Sequence, residues 1–389
     1  MKKNNLKLNQ KILKVWPFWI EGIKYHDQYL SEFMLEDGVE TIFACPNQAS
    51  SKYSSFSSTD KKESKNYAYK MYFFNFISLF DKPIPYDFLK FSKFITSFKP
   101  DVIHIYGISN FTTVFTFFSI YFSDFKGEIL FNDHSDPTER KTSFIAEFYY
   151  FFFKLFYRLI IKDNYNIIVP DISSENELSK RYGNKIKSKI SIIPLGYDDR
   201  VFKYNKNKRK LKLPLRIGFA GRILPPKKIE LLIEAVENFN SDEIELTIAG
   251  INLKKKSDYQ NQLIDYVKIK NIKNIKFKNF ITDSQSLAEF YSSLDLAIFP
   301  GSISITTFEA NGCGCPVIIY NSYEGLDHRV SNLRGRLFDN LDQLISFIEY
   351  YRDLKYNSKI DHENIAKESA VYSWRLIKDS YYKIYTFNY

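Results

Sequence analysis

Cysteine is scarce in this chain of 389 residues, which has only Cys45, Cys313 and Cys315. Three thiols build no disulfide framework, and the default setting is a reducing compartment. Cys313 and Cys315 stand one residue apart with no second ligand pair, so they do not form a zinc site. No continuously apolar stretch reaches the ~20 residues of a membrane-spanning helix. The opening residues, MKKNNLKLNQKILKVW, have no sustained apolar run after their lysines, so no secretory leader is expected there. Zinc modules, arginine-rich stripes, RNA-binding aromatic motifs and fixed-period repeats are all missing. Nucleic acid is therefore not an expected partner, despite the positive balance of the chain.

What is present is a globular composition. Hydrophobic residues make up 44% and charged residues 26% of the chain, which excludes a disordered protein. Aromatic residues reach 17%, with 36 Phe and 29 Tyr. Fifty-five basic against 45 acidic residues give a net charge of +10, which favours an anionic membrane surface or a phosphorylated substrate. The length exceeds one ordinary core and suits two domains.

Strand-like and helix-length segments alternate throughout. In the first half, strands are expected at 11–16, 40–45, 101–106, 128–132, 166–170 and 190–194, with a helix over 25–36 ended by Gly38. Residues 48–66, rich in Ser and Lys, read as a polar loop. A basic, turn-rich segment at 203–212 is the expected linker. A second series follows, with strands at 215–220, 244–249, 275–277, 294–299 and 317–320. Its helices are expected at 229–239, 260–270, 284–292 and 306–311. This pattern predicts an α/β protein of two doubly wound Rossmann-like domains, with ligands beyond the carboxyl ends of the strands.

The segment FPGSISITTFEANGCGCPVII, residues 299–319, carries the most chemistry. A buried strand ends at Pro300-Gly301. A helix opening on Ser302, Ser304, Thr306 and Thr307 would present free N–H groups and partial positive charge to a diphosphate. Glu309, two turns in, would accept hydrogen bonds from paired ribose hydroxyls. The segment equally fits an ordinary strand–turn–helix–strand unit with a solvated Glu.

Three further features add to it. Strand 215–220 runs into Gly221-Arg222, with Lys227 close behind. Two cations there would neutralise charge on a departing diphosphate, although loop cations are commonly surface charge. Pro225-Pro226 stiffens that loop and favours the functional reading. His134, directly after a strand in FNDHSDPTER, would hydrogen-bond a sugar hydroxyl or move a proton; a capping or structural role is the other reading. Asp133 and Asp136 flank it without further ligands, so no metal site is expected. Residues 144–161, FIAEFYYFFFKLFYRLII, fit an interfacial helix on anionic lipid or, as favoured here, a buried domain helix with one wet edge.

The order of KPDVIHIYG, FNDHSD, IIPLGYDDRVF, GFAGRILPPKK, FPGSISITTFEANGCGCPVII and YSWRLIKDSYYKIY resembles the retaining glycosyltransferases of family 4, over nearly the whole chain. The resemblance implies a GT-B fold, two Rossmann-like domains facing across a cleft. Residues 1–205 would bind the acceptor and 206–370 the nucleotide sugar, with 371–389 a C-terminal helix packing back towards the first domain. It implies Arg222 and Lys227 as the diphosphate-stabilising pair and Glu309 as the ribose ligand. The stretch Gly221 with Gly301, Ser302, Ile303, Ser304 and Ile305 would contact the donor, with amides of Ser304 and Ile305 at the phosphates. His134 would lie near the donor sugar and Gly22 in an acceptor-side loop.

It also implies a hexosyltransferase-type activity with no metal or other cofactor. The expected partners are a nucleoside-diphosphate sugar, a glycan or lipid-linked acceptor and peripheral contact with an anionic membrane. The setting would be the cytoplasm, in surface polysaccharide assembly. Two departures stand out. The usual first glutamate, eight positions before Glu309, is Gly301 here, and the first loop lacks a double glycine.

Overall fold

The computed structural model describes residues 10–17, 25–46, 69–79, 82–134, 148, 151–156, 165–208, 212–237, 239–251, 257–302 and 304–385. The chain divides into two compact units, Met1–Pro194 with Ile377–Tyr389, and Leu195–Leu376. The first passage between them falls at Pro194–Leu195, so the basic segment expected as the linker lies inside the second unit.

The first unit is built on a seven-stranded, wholly parallel sheet. Its strands are β1 (Lys11–Val15), β2 (Glu40–Pro46), β3 (Lys70–Phe74), β6 (Val102–Tyr106), β7 (Glu128–Asn132), β8 (Tyr165–Val169) and β9 (Ile190–Ile192), in the order β3-β2-β1-β6-β7-β8-β9. A separate antiparallel hairpin pairs β4 (Phe76–Leu79) with β5 (Lys82–Pro85). Helices α1 (His26–Glu36), α2 (Phe88–Phe98), α3 (Phe111–Tyr121) and α4 (Ile172–Tyr182) complete the crossovers among the described residues.

The central strands are nearly continuous apolar runs, as a sheet covered on both faces requires; β6 is buried at every position. Side-chain oxygens of Asn110 and Asp171 accept the N–H groups of Thr113 and Ser174, which caps α3 and α4. In segment 151–156, Phe153 and Phe156 are buried while Phe151, Phe152 and Leu155 face water. The rest of 144–161, apart from residue 148, lies outside the described residues.

The second unit carries a six-stranded parallel sheet. Strands β10 (Leu215–Ala220), β11 (Ile244–Ile251), β12 (Ile275–Asn279), β13 (Leu296–Phe299), β14 (Val317–Tyr320) and β15 (Gly335–Phe338) run in the order β12-β11-β10-β13-β14-β15. Helices α5 (Ile229–Val236), α6 (Asp258–Ile269), α7 (Ser284–Ser293), α8 (Thr306–Gly312), α9 (Leu341–Tyr356) and α10 (His362–Ser369) belong to it. A last helix, α11 (Trp374–Ile384), follows. Counted within this unit, the strand order is 3-2-1-4-5-6, so the direction of winding reverses between β10 and β13. A doubly wound sheet opens its ligand crevice at that reversal, beyond the carboxyl ends of the two strands.

Three strand features were not expected. β3 has no alternating or fully apolar pattern because it is a largely open edge strand. The hairpin holds Pro83 and Pro85, residues that argue against a ladder except at edges. β15, GRLF, is too short to signal itself. The polar loop expected at 48–66 lies outside the described residues.

Candidate functional site

The carboxyl end of β10 and that of β13 lead into two loops that are stitched together. The Ser302 N–H donates to the Pro226 carbonyl at 2.8 Å, and the Lys227 ammonium donates to the Ser302 carbonyl at 2.5 Å. Gly301 lies under this seam. A Cβ there would meet the Pro226 oxygen at 2.2 Å and the Lys227 carbonyl carbon at 2.6 Å, both backbone atoms. Position 301 has no room for a side chain unless the 222–227 loop moves. The absence of the usual glutamate is thus tied to how closely the loops approach.

Gly221 sits at the same seam, and a Cβ on Gly250 at the neighbouring strand end would meet its oxygen at 1.9 Å. Arg222, one residue on, is exposed, and a short helical turn, Pro225–Lys227, carries Lys227 back towards Ser302.

The helix of this segment falls where 306–311 was expected, but without the opening at Ser302. α8 begins at Thr306 with Ile305 as its cap residue, so Ser302 and Ser304 lie in the preceding loop. The Ser302 N–H is already spent on Pro226 and is not open to an anion. Among the described residues, no backbone acceptor takes the N–H of Ile305, Thr306 or Thr307, as in any first helical turn. The Ser304 and Thr306 hydroxyls lie 2.6 Å apart. Ile303 is outside the described residues.

Glu309 is 6% exposed, and its Oε2 is buried without a hydrogen-bond partner; so is the hydroxyl of Ser302, also 6% exposed. Burial, and then the nearby charge of Asp198, push the Glu309 carboxyl up to about 8 from an ordinary value of 4.5. Asp198 is itself gripped by Arg200 at 2.8 Å and 2.9 Å. Buried polar atoms are ordinarily satisfied, so two orphans on one segment mark a place where a ligand's hydroxyls would be accepted.

Residues that the motif reading passed over hold this wall in shape. Arg329, nearly fully buried, donates to the Ser304 carbonyl at 3.1 Å and to the Thr307 hydroxyl at 2.8 Å, and lies 4.7 Å over the Phe308 ring. Arg334 donates to the carbonyls of His328, Arg329 and Val330 and so fixes the turn that carries Arg329. Tyr197, in IIPLGYDDRVF, packs where a Cβ on Gly312 would be, 2.4 Å from its ring. Buried arginines in a turn between β14 and β15 are the only sequence signal for this support.

His134 belongs to the first unit, where β7 ends. It is half-buried and stacks on His26 with ring centroids 4.3 Å apart and planes 18° apart. Its Nε2 is buried with no hydrogen-bond partner. Burial, and then the adjacent His26, push the imidazole down to about 3, so it is neutral at pH 7. Beneath the pair, Lys14 and Asp27 form a fully buried ion pair at 3.0 Å, and Trp16 stacks on Tyr106 at 4.2 Å. Lys14, a charge inside an apolar strand, was the available hint of this cluster. Gly22 and Asp136 lie outside the described residues. No group of three or more His, Cys, Asp or Glu gathers as metal ligands among the described residues.

Comparison with known proteins places this geometry in context. Residues 202–369 match the family described as glycosyl transferases group 1. The chain is 29% identical over 231 residues to a probable sucrose-phosphate synthase of Thermosipho melanesiensis, covering 54% of this chain and 49% of that protein. It is 23% identical over 261 residues to mannosylfructose-phosphate synthase of Agrobacterium fabrum, covering 62% and 57%. The chain thus spans about half the length of the curated relatives it matches.

Among solved structures, HepE of Anabaena in complex with UDP-glucose superposes over 97% of this chain and 99% of its own, with a TM-score of 0.70 at 14% identity. Sucrose-phosphate synthase of Thermosynechococcus elongatus gives 0.71 at 17%, over 97% and 98%. These likenesses show the α/β GT-B fold that the motif order implied.

Proposed function

Starting from a group 1 glycosyl transferase segment on a GT-B fold, we propose that the protein is a retaining glycosyltransferase. It takes a nucleoside-diphosphate sugar on its second unit and transfers the sugar to a glycan or lipid-linked acceptor. The observation that carries this reading is Glu309, a buried carboxyl with an orphaned oxygen at the winding reversal of a doubly wound sheet. A ribose hydroxyl supplies the donor that the orphaned Oε2 lacks. The amides of Ile305 and Thr306 meet the phosphates, alongside Ser304 and the backbone at Gly221 and Gly301.

Catalysis consists of stabilising the diphosphate as it departs. Arg222 supplies exposed positive charge, and Lys227, anchored on the Ser302 carbonyl, supplies a second. The acceptor hydroxyl enters on the face the diphosphate leaves and passes its proton to a phosphate oxygen. His134 of the first unit, neutral at pH 7, offers its Nε2 to a sugar hydroxyl without bringing a charge. With two cations and the loop amides serving the diphosphate, no metal is required. The role fits a cytoplasmic enzyme of surface polysaccharide assembly.

The test pairs ligand screening with a double variant. UDP-, GDP-, ADP- and dTDP-sugars are compared by thermal shift, since a bound donor raises apparent stability; UDP-glucose comes first because HepE was solved with it. Arg222→Ala/Lys227→Ala should lose roughly 100-fold or more in donor hydrolysis and transfer. Undiminished turnover would remove both residues from the mechanism. Gly301 also motivates a second reading, a non-catalytic GT-B-fold subunit of a glycan-assembly complex. Nucleotide-sugar binding with no turnover over a broad acceptor panel would favour it.

A further inference from the structure

The first unit exposes a continuous aromatic surface that the proposed chemistry does not use. It centres on α3, which lies in a stretch, residues 107–123, without one charged side chain. Phe118, Tyr121 and Phe122 on it are 47%, 81% and 54% exposed. Phe88 at the start of α2 joins this row, with its ring 6.2 Å from Phe118 and 5.6 Å from Phe122. A shallow groove between Ile84, Tyr86, Phe88 and Phe118 extends the surface onto the β4–β5 hairpin, where Ile77 is also exposed. At the other end, Phe111 touches Phe153, whose neighbours Phe151 and Phe152 face water. Lys90 and Lys93 stand exposed on α2 beside Leu89.

We propose that this face docks the protein on an anionic lipid bilayer, with the α2–α3 aromatics entering the headgroup region and Lys90 and Lys93 meeting the lipid charge. Folded monomers rarely leave so extended an apolar patch in water. Phe and Tyr favour the membrane boundary, where an apolar ring and, for Tyr, a polar tip are both satisfied. Lysines beside such a patch are attracted by an anionic leaflet. A second copy of the chain fits less well, because a two-fold contact would bring Lys90 and Lys93 towards their own equivalents. The proposal deepens the lipid-linked acceptor reading, yet its evidence is independent of that reading.

Co-sedimentation with phosphatidylcholine vesicles, and with vesicles that also contain phosphatidylglycerol, tests it on the full chain. The wild type should partition into the anionic vesicles roughly tenfold better than into neutral ones, and ~0.5 M salt should erase the difference. Lys90→Gln/Lys93→Gln should lose only that preference. Phe118→Ser/Phe122→Ser should bind both vesicles about tenfold more weakly. Tyr121→Ser, the substitution least coupled to folding, should weaken binding in the same direction. Circular dichroism melting and UDP titration accompany every variant, so lost docking with nucleotide binding retained separates this proposal from the fate of the transferase reading. Equal sedimentation of wild type and aromatic variants would overturn it. So would a wild-type dimer, seen by sedimentation velocity, that the aromatic substitutions dissolve without changing vesicle binding.

Discussion

Glu309 holds a proton that an unfolded glutamate would release. Its carboxyl sits at about 8 in the folded chain against 4.5 outside it. The folded state therefore binds the extra proton between those values, and stability falls as pH rises through that window, by at most about 1.4 kcal/mol per pH unit. Glu309→Gln should remove this slope, leaving stability near pH 4 unchanged and raising it at pH 9, as read by urea midpoints. Nucleotide binding runs the other way. Ribose hydroxyls donate to the carboxylate, so affinity should improve as pH climbs to about 8 and then level off, while the Gln variant should bind weakly with a flat profile. A wild-type titration that is flat from pH 6 to 9 would detach Glu309 from the ribose.

Gly301 makes a complementary case. Because backbone atoms of Pro226 and Lys227 occupy the space of a Cβ, Gly301→Ala should shift the loop seam and cost about 1–3 kcal/mol in urea denaturation. Turnover should fall with it, since Lys227 loses its anchor on Ser302. A fully stable and fully active alanine variant would refute the tight packing.

At the scale of elements, α8 is too short to hold itself and depends on what braces it. Its seven residues are pinned at the start by Arg329 and at the end by Asn311, which donates to the Cys315 and Arg334 carbonyls at 3.0 Å each. Arg329→Met keeps much of the apolar volume over Phe308 but removes the guanidinium from the Thr307 hydroxyl and leaves the Ser304 carbonyl to the longer Thr307 hydroxyl bond at 3.3 Å. The expected loss is about 1–3 kcal/mol of stability with roughly tenfold weaker nucleotide binding. A titration calorimetry curve unchanged from wild type would mean that the 304–307 loop keeps its shape unaided. Helix boundaries followed the apolar period well where caps were clear, as at 284–293 behind Asp283. The span of α8 also matched, but Ser302 and Ser304, read as its opening, serve as a loop, because such residues bond to their own backbone as readily outside a helix as at its cap.

For the molecule as a whole, the alternation of buried strands and helices and the ordered motifs were legible without coordinates, since each depends on residues close together in the chain. So was the family resemblance borne by 202–369. Other features come from strand order, which brings distant residues side by side. Lys227 reaches Ser302 across 75 positions, Arg329 supports a loop 25 positions earlier, and His26 stacks on His134. Local periodicity and turn chemistry act over a few residues and are written in composition. Close approach between loops, orphaned polar atoms and an aromatic face left in water exist only once the sheets have set which segments are neighbours.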